Sequence, residues 1–209
     1  MFCRQDMKNI ITIQHTQSLH HTNGMVGSWT DWELSDLGKE QAENIGVKLS
    51  AELHGKNFIM YASNLLRAKQ TADIVANHLN IKPIFREVLK ERNLGIAVGK
   101  SVRWLRENLE CKEKTIDDRM FHDAESRRDV WNRLLPFYHE IIANNEENII
   151  IVSHGDTLSI FNAMWLGLDA EMLNQCSLFG MPGGVSFMQE DADGKHVIRQ
   201  LSDMSYMSL

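Results

Sequence analysis

Cysteine is scarce in this sequence, and the few cysteines present form no recognisable pattern. Three occur among 209 residues, Cys3, Cys111 and Cys176, and no two have the Cys-x-x-Cys spacing of zinc or redox sites. This odd, scattered set argues against a disulfide framework and favours free thiols in a reducing compartment. No apolar run reaches the roughly 18 residues of a membrane span, and the first residues lack an apolar signal core. We therefore expect a cytoplasmic protein with no membrane partner.

Positive charge is also in deficit. The 22 Lys and Arg residues are outnumbered by 28 Asp and Glu residues, which gives a net charge of −6 and an isoelectric point near 5.8. Nucleic acids are recognised largely through excess positive charge, so we expect no nucleic-acid partner. A small anionic ligand remains compatible with this balance, because a few local Arg and His residues can dominate the charge of one pocket.

Only three prolines and no repeat or linker interrupt a chain that is 43% hydrophobic and 24% charged. Short β-branched runs alternate with amphipathic helical patterns. This alternation predicts an α/β fold, a three-layer αβα sandwich around a mostly parallel central sheet. We expect residues 1–209 to form a single domain, in which the charge-rich segment 101–124 is a lid inserted over the carboxyl edge of the sheet.

The element boundaries follow from apolar periodicity and capping residues. Ser63 is expected to cap the second long helix. The predicted strands cover residues 10–13, 58–62, 83–85, 148–152, 185–188 and 197–201, and the predicted helices cover 35–53, 64–79, 102–112, 125–143 and 157–166.

The first strand is followed at once by a polar cluster that begins with a histidine. Ile10–Ile13 is a run of β-branched residues, and it leads into Gln14, His15, Thr16, Gln17 and Ser18. Open α/β sheets place reactive side chains just beyond the carboxyl ends of their strands. His15 is therefore a candidate catalytic residue, provided that other strands deliver partners to the same edge.

Three further segments supply such partners. Arg67 lies in the first turn of the helix after the second predicted strand, Glu91 follows the third, and His154 follows the fourth. Two histidines, one arginine and one carboxylic acid suit a phosphoryl group, which carries about two negative charges near neutral pH. A neutral imidazole can attack phosphorus to form a phosphohistidine, and a carboxylic acid can protonate the leaving alkoxide.

A metal site is the alternative interpretation of the histidines, since His20 and His21 lie close to His15 in the sequence. Adjacent side chains diverge in most backbones, and no carboxylate stands at a matching spacing. We therefore predict no metal and no cofactor.

The order of these motifs resembles the histidine phosphatase superfamily, the phosphoglycerate mutase-like family. The family's opening motif Arg-His-Gly-Glu-(Ser/Thr) is matched by the run from Gln14 to Ser18. Its Gly-Trp-Thr-Asp-x-x-Leu-Ser-x-x-Gly-x-x-Gln-Ala pattern is matched from Ser28 to Ala42. Further matches are Ser63–Ala72 around Arg67, Leu89–Glu91 with Gly95, Glu125-Ser126 with Arg133, and Ser153-His154-Gly155. Such ordered motifs together are far more specific than any one of them.

The sequence departs from the family at the nucleophile. Gln14 replaces the arginine before it, Thr16 replaces the glycine after it, and His21 and Met25 stand where the family has asparagine and often arginine. The loss of an arginine removes a permanent charge and a two-pronged grip on phosphate. A lost charge-assisted hydrogen bond costs about 1.5–3 kcal/mol, or roughly 10- to 200-fold in rate if it acts in the transition state. His21, Arg92 or Arg119 could restore part of that charge.

The resemblance implies a phosphomonoester hydrolase for small phosphorylated substrates. Its expected catalytic residues are His15 as nucleophile, Glu91 as general acid and His154, and its expected phosphate-binding residues are Arg67, Gln14 and His21. An impaired family member that binds a phosphorylated ligand or a partner protein is the alternative. A phosphoglycerate mutase is a lesser one, because Met25 and its surroundings fit the sugar-phosphate contacts of that branch poorly. The oligomeric state is left open.

Overall fold

The computed structural model describes residues 7–208. In chain order its strands and α-helices are β1 (Asn9–Gln14), α1 (His20–Asn23), α2 (Asp36–Glu52), β2 (Ile59–Ala62), α3 (Leu66–Leu79), β3 (Pro83–Phe85), α4 (Val102–Glu107), α5 (Arg127–Ala143), β4 (Asn148–Ser153), α6 (Gly155–Trp165), β5 (Val185–Glu190) and β6 (His196–Asp203). Short 3-10 turns lie at Glu87–Leu89, Gly95–Ala97, Ala170–Asn174 and Met204–Met207.

One six-stranded sheet runs through the molecule in the order β3-β2-β4-β1-β5-β6. The strands β3, β2, β4 and β1 are parallel to one another. The hairpin β5–β6 joins the edge next to β1 in the antiparallel direction. The predicted mostly parallel sheet is confirmed, and its antiparallel part is the hairpin that the Asp193-Gly194 turn closes.

Helices cover both faces of the sheet, because its central strands are apolar on both sides. On β4, Ile149 and Ile151 pack with α5 and α6, whereas Ile150 and Val152 pack with α2 and α3 on the opposite face. This period of two along a fully buried strand produces two separate apolar layers. The predicted three-layer αβα sandwich is confirmed.

Helix starts differ from the sequence predictions by up to two residues. Ser35 caps α2, and its side chain accepts a hydrogen bond from the Gly38 N–H, as the sequence indicates. The prediction that Ser63 caps α3 is wrong: the helix begins two residues later, with Leu65 as its N-cap. The Ser63 hydroxyl accepts a hydrogen bond from the Leu65 N–H at 3.2 Å and also lies 2.8 Å from the Nε2 of a histidine, His154, a contact that the local sequence could not predict.

The segment 101–124 is less helical than predicted. Helix α4 ends at Glu107 and not near residue 112, and the chain then runs irregularly to the capping box formed by Ser126 and Asp129 at the start of α5. Phe121, Ala97 and Ala124 form a small apolar cluster of their own. The segment therefore folds against the loop that follows β3, beside the carboxyl edge of the sheet.

The free thiols of Cys111 and Cys176 are exposed, while Cys3 lies outside the described residues. Between residues 7 and 208, no helix combines the length and the apolar character that a membrane crossing requires.

Candidate active site

A cavity of about 430 Å³ opens at the carboxyl edge of the parallel strands. It contains five of the six predicted site residues, all except His154, and its wall is formed by Gln14, His15, His20, His21, Gly27, Ser28, Arg67, Glu91, Arg92, Leu94, Gly155, Asp156, Phe179 and Gly180. The sheet brings these groups together because β1 and β4 are in register, with Gln14 opposite Ser153. The residues after both strands therefore emerge side by side.

The His15 ring is held in one tautomer. Its Nδ1 lies 2.8 Å from the Thr16 carbonyl oxygen, and a carbonyl only accepts hydrogen bonds, so Nδ1 carries the proton. The lone pair of the neutral ring then lies on Nε2, where Arg67 Nε donates to it at 3.1 Å. Burial and the charge of Arg67 hold the pKa of His15 well below its usual range, so the ring is neutral near pH 7 and nucleophilic.

Arg67 is the cation of the cavity. Its side chain is almost fully buried, and its Nη1 and Nη2 donate to the carbonyl oxygens of Thr30 at 2.9 Å and Ser28 at 2.8 Å. Burial lowers its pKa to about 10, which leaves it charged. Among the described residues no carboxylate forms an ion pair with it. Its charge is thus available to an incoming anion.

Thr16, the residue after His15, has its hydroxyl and its N–H hydrogen bonded. Its hydroxyl donates to the Gly38 carbonyl at 2.7 Å, and its N–H donates to the Thr71 hydroxyl at 3.2 Å. Gly38 has no room for a side chain, because a Cβ there would lie 1.8 Å from the Gln17 carbonyl oxygen. The contacts of Thr16 and Gln17 with Gly38 hold this stretch of backbone in place, and with it the Thr16 carbonyl that orients His15.

Glu91 faces the cavity from the loop after β3. Its carboxylate accepts hydrogen bonds from the N–H groups of Arg92, Thr157 and Asp156 at 2.9, 3.3 and 3.4 Å. Burial and the negative charge of Asp156 outweigh these bonds and raise the pKa of Glu91. A raised pKa keeps a carboxyl group protonated closer to neutral pH, which is what a general acid needs.

Arg92 lines the cavity, but its charge is already matched. Its Nε lies 3.0 Å from an Asp156 carboxylate oxygen, and its Nη2 donates to Glu113 at 3.3 Å. Arg119, the other arginine considered as a substitute, pairs with Asp129 at 2.8 Å on the surface and does not border the cavity. The prediction for Arg119 is wrong, and Arg92 supplies little free charge.

His154 lies behind His15 and not in the cavity wall. It is fully buried, its ring centroid is 5.1 Å from that of His15, and its Nε2 is 2.8 Å from the Ser63 hydroxyl. Its Nδ1 is buried without a hydrogen-bond partner. Burial and the Arg67 charge hold its pKa well below the usual range. Contact with phosphate stays a prediction for this residue, whereas its support of the His15 ring is visible.

His20 is a wall residue that the sequence analysis did not assign to the site. The His20 and His21 rings do not diverge: their centroids are 3.9 Å apart, and a ligand atom from each of His15, His20 and His21 lies within 4.8 Å of the others. The prediction that these adjacent histidines point apart is therefore wrong. The sequence signal that could have placed His20 in the site was its position next to His21.

Hydrogen bonding nevertheless favours an anion over a metal at these histidines. His21 Nδ1 accepts the Ser18 N–H at 3.1 Å, so the neutral ring carries its proton on Nε2. The His15 lone pair is taken by a cation, Arg67. A metal needs free lone pairs and no adjacent positive charge, whereas an oxyanion accepts from N–H groups such as these.

Gln14, the residue before His15, also lines the cavity. It is 9% exposed, and its amide packs beside Gly155 and Gly180, at 3.4 Å from a Cβ placed on either. Its Oε1 is buried without a partner. The amide therefore offers the cavity a neutral donor in place of a guanidinium fork.

The buried histidines predict acid sensitivity. Because the folded protein lowers the pKa of His15 and His154, their stabilising contribution is full above about pH 6.5 and is lost as the pH falls below it. Each therefore destabilises the folded state as the pH falls towards 5. We expect thermal unfolding to occur at a clearly lower temperature at pH 5 than at pH 7, with a smaller pH effect in His154→Gln. An equal effect in that variant would contradict this assignment.

Comparison with known proteins assigns the chain that forms this site to a family. A family model described as the histidine phosphatase superfamily (branch 1) matches residues 10–202. The chain is 27% identical over 178 residues to a 2,3-bisphosphoglycerate-dependent phosphoglycerate mutase from Tropheryma whipplei (strain Twist), covering 73% of this chain and 80% of the relative. It is also 27% identical over 207 residues to a glucosyl-3-phosphoglycerate phosphatase from Mycolicibacterium vanbaalenii, covering 88% and 84% of the two chains.

Solved structures show the same fold at lower sequence identity. The native structure of a mycobacterial glucosyl-3-phosphoglycerate phosphatase superimposes with a TM-score of 0.79 at 17% identity, covering 94% of this chain and 99% of that one. At this identity the likeness concerns the fold alone.

Proposed function

The chain belongs to the histidine phosphatase superfamily, branch 1, over residues 10–202, and on this premise we propose that it hydrolyses small phosphomonoesters through a phosphohistidine at His15. The observation that carries the proposal is the His15 ring. Its Nδ1 proton is held by a carbonyl oxygen, so its lone pair lies on Nε2, where it accepts the Nε–H of Arg67, an arginine of the cavity without an ion-pair partner among the described residues.

In the first step His15 Nε2 attacks phosphorus. The new N–P bond forms as the bond between phosphorus and the ester oxygen breaks, and protonated Glu91 gives its proton to the departing alkoxide. Arg67 releases the lone pair of His15 and binds the phosphoryl oxygens, since a doubly charged anion is a stronger acceptor than a neutral imidazole.

In the second step water attacks the phosphohistidine. Glu91, now a carboxylate, removes a proton from the water as the O–P bond forms and the N–P bond breaks. Inorganic phosphate leaves, Glu91 is protonated again, and His15 regains its neutral form. One carboxyl group can act first as acid and then as base because the two steps are chemical mirror images.

Gln14 and His21 complete the phosphate contacts in this proposal. The Gln14 side-chain N–H₂ and the His21 Nε2–H both donate, but neither brings a permanent charge. Arg67 is then the only uncompensated cation among the described cavity residues, so the transition state is stabilised less than with two arginines.

Gln14→Arg should therefore increase the rate. A regained charge-assisted hydrogen bond corresponds to roughly 10- to 200-fold in kcat/KM. The measurement is phosphate release from an aryl phosphate by the wild type and the variant. Asn77→Arg is the matched control, because it adds the same charge at the exposed far end of α3. An increase of equal size in Asn77→Arg would show that net charge, and not position 14, sets the rate.

The same assay separates the alternatives. A non-catalytic phosphate-binding protein is the alternative, because Gln14 is neutral where the resemblance implies an arginine. It would bind phosphate, release none from the ester and gain no activity in Gln14→Arg. A mutase would pass the phosphoryl group of His15 to a second hydroxyl group instead of water, so added alcohol would suppress the release of inorganic phosphate.

A further inference from the structure

A second cavity of about 270 Å³ lies beside the first. Its walls come from the irregular part of segment 101–124, from the start of α5 and from the 3-10 turn at Ala170–Asn174, and its polar residues include Lys114, Arg127, Glu113 and Asn174. None of these residues has a role in the steps described above.

Two contacts join the cavities. Arg92 lines the first cavity and its partner Glu113 lines the second, and their side chains are hydrogen bonded. Phe179 also lines the first cavity, and the Arg127 guanidinium, in the second, lies 5.4 Å from the centre of the Phe179 ring. The two cavities therefore share a wall, with Phe179 and Arg127 on its two sides.

Arg127 is left without a partner in the part of the chain that the structure covers. Its Nε and Nη2 are buried and donate to no acceptor, whereas the adjacent Arg128 pairs with both Asp117 and Glu171. Buried donors without acceptors destabilise a protein. Stacking on Phe179 compensates only in part, so the arrangement favours an anion that accepts from this guanidinium.

The charge of the second cavity also favours an anion. Lys114 is exposed and forms no ion pair within residues 7–208, which leaves two unmatched cations, Lys114 and Arg127. The one carboxylate in the wall, Glu113, is already matched by Arg92.

From this juxtaposition we propose that Arg127 binds a second anionic group of the substrate, a carboxylate or a second phosphate, while the scissile phosphoryl group lies at His15. The inference rests on the proposed hydrolase function and specifies its substrate class: phosphomonoesters whose alcohol part carries a negative charge and extends past Phe179. Arg127 is then a specificity residue.

The test compares two substrates. One is a plain aryl phosphate, and the other is an aryl phosphate whose ring carries a carboxylate on a short chain. In the wild type, kcat/KM should be higher for the carboxylated substrate. In Arg127→Leu, which keeps an apolar contact to Phe179, the ratio of the two values should fall about tenfold or more. Arg106→Leu is the control for loss of one exposed positive charge from segment 101–124, and it should keep the wild-type ratio.

An unchanged ratio of the two kcat/KM values in Arg127→Leu would overturn the inference. If, in addition, free benzoate alters turnover of the plain substrate in the wild type but not in Arg127→Leu, then Arg127 binds a separate anion and not a group of the substrate.

Failure of the hydrolase function would look different, because neither substrate would then be turned over. In that case calorimetric binding of the carboxylated aryl phosphate decides the inference. Binding about tenfold or more weaker in Arg127→Leu, with inorganic phosphate bound equally by both proteins, supports it. Equal binding of the carboxylated compound overturns it.

Discussion

Replacing His15 with alanine should abolish phosphomonoester hydrolysis, with a loss of at least about 10³-fold in kcat, since a catalytic nucleophile has no substitute within the same pathway. Two other imidazoles near the phosphoryl group, those of His154 and His21, are poorly placed to take over. His154 lies outside the cavity wall, and the His21 nitrogen that is free of the backbone carries a proton. Turnover of an aryl phosphate by purified proteins measures the loss.

A matched histidine variant shows whether the effect belongs to position 15. His139 is exposed on α5, and His139→Ala should leave turnover at the wild-type level. Thermal unfolding of both variants checks that the fold is intact. Equal activity of His15→Ala and wild type would refute the assigned nucleophile while leaving the fold and the family assignment in place.

Glu91→Gln should reduce hydrolysis in a way that depends on the leaving group. The amide keeps the size of the side chain and an oxygen for the N–H groups of Arg92 and Thr157, but it cannot give up a proton. For an alkyl phosphate, whose alkoxide must be protonated as it leaves, we expect a loss of about 10²–10⁴-fold. For a nitrophenyl phosphate, whose phenolate leaves without a proton, the phosphorylation step should change little.

The pH profile provides a second measure of the same group. Burial and Asp156 raise the pKa of Glu91, so the acid form persists above the usual range of a carboxyl group. The rate of alkyl phosphate hydrolysis should be full below that raised pKa and should fall as the pH rises through it. His15 adds no acid limb near pH 6.5, because its pKa is well below that value.

In Glu91→Gln the high-pH decline should disappear. Glu87→Gln, at an exposed position four residues earlier in the same loop, should retain both the rate and the profile of the wild type. An equal loss for alkyl and nitrophenyl phosphates in Glu91→Gln would mean that Glu91 positions the substrate and does not transfer a proton to the leaving group.

The sequence predicted the parts of the fold that depend on strong local patterns. Strand β4 is apolar on both faces, so its run from Ile149 to Val152 indicates a central strand without reference to the rest of the chain. The convergence of His15, Arg67 and Glu91 followed from topology, because side chains after parallel strands emerge at one edge.

Other features depend on contacts between distant segments and could not be predicted. Nothing local to Ser63 shows that its hydroxyl contacts His154 in addition to the Leu65 N–H. Arg92 was correctly placed near the cavity, but its neutralisation by Asp156 and Glu113 joins three separate segments. The close approach of the His20 and His21 rings accompanies their hydrogen bonds to Ser18, whose N–H donates to His21 Nδ1 and whose hydroxyl is hydrogen bonded to His20 Nδ1.

The most direct test of the account is to mix the wild type rapidly with a radiolabelled phosphomonoester, stop the reaction in alkali, and map the label by mass spectrometry. We expect an acid-labile phosphoryl group on the peptide that contains His15, formed at least as fast as inorganic phosphate is released and absent from His15→Ala. Steady release of phosphate with no label on His15, or with the label on another residue, would contradict it.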